Sequence, residues 1–313
     1  MRIVIALGGN ALLRRGEPMT PQTQRANVKR AVAALLPLLE GGHQLVITHG
    51  NGPQVGLLAL QAAAGPREGT YPLDILDAES EGMVGYLIEQ ELSNVLPGGR
   101  LIATLLTQVL VDRRDKAFSH PTKPIGPVYD KAEAERLAQV SGWRIAGEGG
   151  GWRRVVASPR PLQVLEARVI ELLVSQGVIV ICTGGGGIPV VERSDGTLVG
   201  VEAVIDKDLA SALLASQLRA DHLMLLTDVD SVYLHWGTDA ARPVARAGTR
   251  ALTAADFAPG SMGPKIEAAI GFAAETGRPA SIGRLEDAAL IVAGAAGTRI
   301  DAATTSVTLR APG

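Results

Sequence analysis

Five short, almost wholly apolar runs punctuate the chain: Arg2 to Leu7, Gln44 to Thr48, Leu101 to Leu106, Val178 to Cys182 and His222 to Thr227. Continuous apolar character over so few residues predicts strands buried on both faces. Longer amphipathic segments separate them. Thr20 followed by Pro21 marks a cap and a first turn, opening a helix to about Glu40, where Gly41-Gly42 stops it. Further helices are expected from Pro53 to Ala63, Ile75 to Leu96, Pro161 to Ser175, Lys207 to Leu218 and Pro264 to Thr276. Strand–helix alternation of this kind predicts an α/β fold whose mainly parallel sheet is covered on both faces.

The stretch from Asp112 to Pro159 breaks the rhythm, with Pro121, Pro124, Pro127, Gly147, Gly149, Gly150, Gly151 and two of the three tryptophans. It reads as an inserted small subdomain or lid. No solenoid-period repeat and no low-complexity tract occurs.

At 313 residues and 46% hydrophobic, the chain can bury a large core. A formal charge of -2 gives no long-range positive field, which argues against nucleic-acid or anionic-membrane partners and leaves small molecules as the expected ligands. The single Cys182 excludes an internal disulfide framework, and no Cys/His cluster suggests structural zinc. Ile3 to Leu7 is too short for a signal-peptide core, and no apolar run approaches the ~18 residues of a membrane span. A cytoplasmic location is expected. Among the 30 basic residues only Lys29, Lys116, Lys123, Lys131, Lys207 and Lys265 are lysines, so a lysine within a motif is informative.

Three predicted strands end in glycine-rich turns: Gly8-Gly9-Asn10, Gly50-Asn51-Gly52-Pro53 and Gly184-Gly185-Gly186-Gly187. Ligands of parallel α/β sheets bind beyond the carboxyl ends of strands, and glycine lets peptide N–H groups approach an anion closely. One such pair can simply make a turn. Three together point to a phosphate-bearing ligand. Neither GxxxxGK[ST] nor a GxGxxG after a strand is present, which excludes a P-loop enzyme and counts against a Rossmann dehydrogenase.

Lys207 falls in an expected first helical turn behind a candidate cap, Asp206, and Lys265 directly follows Pro264 at a plausible first position of another helix. The helix dipole disfavours a cation there by ~0.3 to 1 kcal/mol, so a compensating anion is called for. Asp208 or a phosphate meets that need. Transfer of a phosphoryl group between two anions faces a repulsion of about 4 kcal/mol at 4 Å and an effective dielectric near 20. Ammonium groups and backbone donors fixed along the reaction line offset it. Asp228 and Asp230 after the fifth strand can orient a ribose, a lysine or the turn itself. His49 reads either as a general base or as a hydrogen-bonded structural residue, and no Ser/His/Asp or metal-ligand constellation has a persuasive spacing.

Ala6-Leu7-Gly8-Gly9-Asn10-Ala11, His49-Gly50-Asn51-Gly52-Pro53-Gln54-Val55-Gly56 and Gly184 through Pro189 together resemble the carbamate kinases of the amino-acid-kinase family. The likeness extends through Pro121 to Pro127, Gly151 to Val156, Gly200 to Asp208 and Phe257 to Lys265, and fades from Gly283 onward. It implies a three-layer sandwich around a mainly parallel sheet, with a small protruding subdomain at about 112–159. Residues 1–200 would form the carbamate and carbamoyl-phosphate lobe, and 201–313 the nucleotide lobe. The implied reaction is reversible phosphoryl transfer between MgATP plus carbamate and MgADP plus carbamoyl phosphate, used to make ATP in arginine or related nitrogen catabolism.

By the same resemblance Lys207 and Lys265 flank the transferred group, Asp208 organises the lysines, and Lys123 reaches the carbamoyl end from the lid. Gly8, Gly9 and Asn10 donate to phosphate; Gly50, Asn51 and Gly52 frame the carbamate; Gly184, Gly185, Gly186 and Gly187 close around it. Adenine and ribose lie near Asp228, Tyr233, Ala258, Pro259 and Met262. Magnesium arrives with the nucleotide rather than in a protein cage, and a homodimer is expected. Another amino-acid kinase, or a nucleotide sensor on the same fold, is the alternative.

Overall fold

The computed structural model describes residues 1–310 apart from 15, 66–70, 97, 149 and 259, with the backbone alone at 10, 11 and 148. All five predicted strands form, as Arg2–Leu7, Gln44–His49, Ile102–Thr104, Ile179–Ile181 and His222–Thr227. They share one ten-stranded sheet. Its parallel part runs in the order Ile102–Thr104, Ile179–Ile181, Gln44–His49, Arg2–Leu7, His222–Thr227, Ala280–Arg284. Thr298–Asp301 then pairs antiparallel with Ala280–Arg284, followed by Arg242–Gly248, which also pairs antiparallel with Val232–Leu234 and with the tenth strand, Val307–Leu309. Strands from both sides of residue 200 are direct neighbours, Arg2–Leu7 pairing with His222–Thr227.

Alternate side chains of the central strand point to opposite faces, so a single run of six residues builds two cores. Ile3, Ile5 and Leu7 pack with Val28, Val32 and Leu35 of the helix Pro21–Glu40 and with Val84, Ile88 and Leu92 of the helix Leu73–Val95. Val4 and Ala6 face Ile170 and Val174 of Ala167–Ser175, Leu214 of Lys207–Gln217, and Ile266 and Phe272 of Met262–Thr276. Helix, sheet and helix are therefore three layers, each fully buried aliphatic side chain contributing about 1.5–3 kcal/mol. Thr20 caps the first long helix as expected, its hydroxyl accepting from the Thr23 N–H.

The segment Lys123–Tyr129, Arg144–Glu148 and Gly151–Val156 forms a separate three-stranded antiparallel sheet, with the helix Lys131–Ser141 on it. It touches the main body where Gly126 meets Gly56 on the helix Gly52–Ala64; a Cβ on Gly56 would stand 2.0 Å from the Gly126 Cα. Only glycine permits that approach.

Two expectations change. Residues 161–175 are not one helix: Pro161–Val164 is a strand at the edge of a four-stranded sheet, paired antiparallel with Gln108–Val111, and the helix begins at Ala167. Proline without an N–H is tolerated as the first residue of an edge strand just as it is in a helix first turn, so the sequence signal is ambiguous. The last long helix starts at Met262, two residues before Pro264. Pro264 is then the third helical residue, where its missing N–H still costs no intrahelical bond.

Candidate active site

The parallel strands deliver their carboxyl ends, and so their glycine turns, side by side. Gly8 N–H donates to the Leu226 carbonyl at 2.9 Å and Gly50 N–H to the Leu7 carbonyl at 3.1 Å, fixing the first two turns to neighbouring strands. A Cβ on Gly50 would stand 3.3 Å from the Gly9 nitrogen and 3.6 Å from Lys207 Cε, so these two turns and this lysine share one small region. Gly52 opens the helix Gly52–Ala64, and neither this helix nor the short turn Gly9–Leu12 is capped by a side chain. Their first N–H groups are donors without intrahelical partners. The backbone of Asn10 lies in that turn; its side chain is outside the described residues.

Lys207 is the first residue of the helix Lys207–Gln217, and Asp206 caps it by accepting from the Asp208 and Leu209 N–H groups. Asp208 lies between two ammonium groups, with Lys207 Nζ 2.5 Å from Oδ1 and Lys265 Nζ 2.9 Å from Oδ2. Lys123 reaches over from the small sheet to Asp206 at 2.8 Å. Three ammonium groups thus bond to two carboxylates in one small cluster. Burial opposes ionisation of Asp208, yet Lys207 and Lys265 hold its carboxyl well below the usual range. Burial lowers Lys207 despite Asp208, whereas at Lys265 the pull of Asp208 overcomes burial and raises it. Asp206 is lowered too, Lys123 prevailing over burial.

Gly184–Gly187 closes another side. Gly185, Gly186 and Gly187 have φ of 68°, 106° and 85°, values that L side chains rarely adopt. Space excludes side chains as well: a Cβ on Gly184 would lie 2.4 Å from the His49 ring, and one on Gly185 would lie 2.1 Å from Asn51 Nδ2. His49 is fully buried, with Nδ1 3.1 Å from the Gly50 carbonyl, and burial pushes it down to about 4, so it is neutral at ordinary pH. Of its two sequence readings, the geometry favours the structural one.

Sequence reasoning missed the layer beneath these loops. Asp77, Ser80 and Glu81 lie on one face of the helix Leu73–Val95, all buried. Asn51 Nδ2 donates to Asp77 Oδ1 at 2.9 Å and to Ser80 Oγ at 2.8 Å, while Glu81 accepts from the Gly184 N–H at 2.7 Å and the Thr107 N–H at 3.1 Å. Burial raises Asp77 well above its ordinary value and Glu81 to about 8. The only available signal was three polar residues at helical spacing, which in a sequence also describes a solvated face.

The residues expected on the nucleotide side are more spread out. Asp228 follows the strand His222–Thr227 and lies within electrostatic reach of Lys265. Ala258 accepts from the Gly263 N–H at 2.9 Å, at the start of the helix bearing Met262 and Lys265. Tyr233 sits on the edge strand Val232–Leu234, its hydroxyl donating to Asp230 at 3.0 Å. Pro259 lies outside the described residues. Among the described residues no group of three or more His, Cys, Asp or Glu could hold a metal ion, and no helix is long and apolar enough to cross a membrane.

Known proteins share this fold. The profile of the amino acid kinase family matches residues 1–284. A carbamate kinase of Rhizobium meliloti is 54% identical over 310 residues, covering 98% of this chain and 95% of its own length. One from Haemophilus influenzae is 56% identical over 300 residues, 96% of each chain. The solved carbamate kinase of Giardia lamblia bound to citric acid superposes with a TM-score of 0.87 at 40% identity, over 96% of this chain and 98% of that one. Its complex with AMP-PNP gives 0.85. Fold, clustered glycine turns and near full-length identity agree, and the chain belongs to the amino acid kinase family, within its carbamate kinase branch.

Proposed function

We propose that this kinase transfers a phosphoryl group reversibly between MgATP plus carbamate and MgADP plus carbamoyl phosphate, running toward ATP in arginine or related nitrogen catabolism. The observation that carries the reading is the buried Lys207–Asp208–Lys265 group beside the Gly8–Gly9 and Gly50 turns. Toward ATP, a β-phosphate oxygen of ADP attacks the phosphorus of carbamoyl phosphate in line; the new P–O bond forms as the bond to the carbamate oxygen breaks. Both the attacking and the departing oxygen are anionic, so no general base is needed, in keeping with a neutral, buried His49.

Lys207 and Lys265 flank the phosphoryl group, stabilising the charge that spreads over its oxygens, and Asp208 keeps both ammonium groups in place. The N–H groups of Gly9 and Asn10 and those at the start of Gly52–Ala64 donate to phosphate and carbamate oxygens, whereas the Gly8 N–H, expected to do the same, is already given to the Leu226 carbonyl, so Gly8 shapes the turn instead. Lys123 leaves Asp206 for the carbamoyl end when substrate binds, and Gly184–Gly187 closes the pocket. Asp228, Tyr233, Ala258, Pro259 and Met262 form the nucleotide side, so that 1–200 serves the carbamate and 201–313 the nucleotide. Magnesium enters as part of the nucleotide substrate, consistent with Asp206 and Asp208 both being taken up by lysines. The working form is a cytoplasmic homodimer, checked by sedimentation at micromolar concentration; a monomer there refutes it.

The function is tested by incubating the protein with MgADP and carbamoyl phosphate and following ATP by coupled luminescence, with Lys207→Ala as control. Rapid ATP formation by the parent, reduced about 100- to 1,000-fold in the variant, is expected. A folded parent that binds MgADP and makes no ATP would sink the proposal.

A further inference from the structure

Glu81 is 1% exposed, yet the described structure places no cation against its carboxyl. Its partners are two peptide N–H groups from separate segments, Gly184 on the glycine run and Thr107 on the approach to the strand Gln108–Val111. The two donors go to different oxygens, the Gly184 N–H to Oε1 and the Thr107 N–H to Oε2, so both ends of the group act as acceptors. A carboxyl group offers them; the isosteric amide of Gln has one. Thr107 is itself tied in, its Oγ1 accepting from the Thr183 N–H at 2.9 Å and donating to the Leu105 carbonyl at 3.0 Å. Thr183, at φ 53°, is one of three non-glycine residues in the left-handed region among the described residues. Strain of this kind persists only where the surroundings over-determine it.

The same helix face holds the opposite loop. Asp77 and Ser80, four and one residues before Glu81, take both hydrogens of the Asn51 amide, and Asn51 in turn abuts Gly185. One helix therefore sets the separation of the two loops between which a small planar anion would lie. We propose that Glu81 is a positioning residue, which fixes the Gly184–Gly187 loop against Asn51 and thereby sets the grip on the carbamoyl group without touching substrate. This rests on the carbamate kinase reading of the site. It explains why a costly buried carboxyl stands here where an apolar residue would pack more cheaply: nothing apolar could satisfy two buried N–H groups, and leaving either unpaired costs more than a typical hydrogen bond contributes.

The test is steady-state ATP formation by the parent and Glu81→Gln, with carbamoyl phosphate and MgADP varied separately and the folded fraction checked by thermal unfolding. At pH 9, above the value of about 8 to which burial raises Glu81, both oxygens of the parent accept, and the variant leaves one N–H facing an amide donor. Its kcat/KM for carbamoyl phosphate should fall about tenfold, the equivalent of one buried donor left unpaired, while KM for MgADP stays within about twofold. Equal changes for both substrates, or a loss that merely follows the folded fraction, overturn the inference. If the variant does not fold, amide hydrogen exchange in the parent decides: Gly184 and Thr107 are expected to exchange as slowly as the central sheet, and fast exchange at either overturns it. A parent that makes no ATP refutes the reading of the site itself, whereas an active parent with an unselective variant refutes only the role of Glu81.

Discussion

Asp208 and Glu81 are carboxyl groups of nearly equal burial, at 4% and 1% exposure, and they behave in opposite ways. Asp208 has two ammonium groups within 3 Å and stays far below the ordinary carboxylate range. Glu81 has two peptide N–H groups instead, and burial carries it up to about 8. A full counter-charge in a dry site outweighs desolvation; two amide dipoles do not. The first region concentrates paired charge. The second holds shape and is close to neutral.

The most direct way to break this contrast is Asp208→Ala, which leaves two buried ammonium groups facing each other. Urea unfolding should show a loss of about 3–5 kcal/mol, and ATP formation should disappear with it. A loss under about 1 kcal/mol would mean that the lysines find other partners and that the pair is no organising unit. Gly185→Ala probes the shape-holding side: with φ at 68° and Asn51 in the way, it should cost about 1–3 kcal/mol in urea, with weaker binding of carbamoyl phosphate.

pH sharpens the comparison further. Glu81 is raised from 4.5 to about 8, so the folded state holds a proton that the unfolded state has released, and its contribution to stability is lost as pH rises through that interval. His49 and His222 are depressed from 6.5 to about 4; their contribution is present above 6.5 and lost as pH falls toward 4. The opposing slopes overlap below 6.5, which leaves the raised carboxyls Glu81 and Asp77 to act without them between 6.5 and 8. Over that window stability should decline with pH, and Glu81→Gln should remove up to about 1.4 kcal/mol per pH unit of the slope. An unchanged slope in the variant would show that Glu81 is ionised throughout. The smallest effect is the reference: Arg136→Ala, which removes the exposed pair with Glu133, should leave the urea midpoint unmoved, because solvent screens it.

The sheet was legible because parallel strands buried on both faces are written as unbroken apolar runs, and Arg2 to Leu7 and His222 to Thr227 were read to the residue. Helix starts were clear where a cap was present, as at Thr20 and Asp206, and shifted where none was, as at Met262. Pro161 misled because one missing N–H suits both a helix start and an edge strand, and only the pairing with Gln108–Val111 chooses between them.

For the site, the sequence by itself determined the chemistry available: glycines that only a turn or a close approach requires, and lysines scarce enough to be conspicuous at helix starts. The tertiary structure decided which of these meet. Asp208 binds Lys207 next to it in sequence, but Lys265 is 57 residues away, and Lys123 comes 83 residues to reach Asp206. No local rule carries such distances. The roles of Asp77, Ser80 and Glu81 were likewise invisible, because a polar helix face reads the same whether it meets water or a pair of glycine loops. Burial alone separates the two, and burial is a property of the packed layers rather than of any single segment.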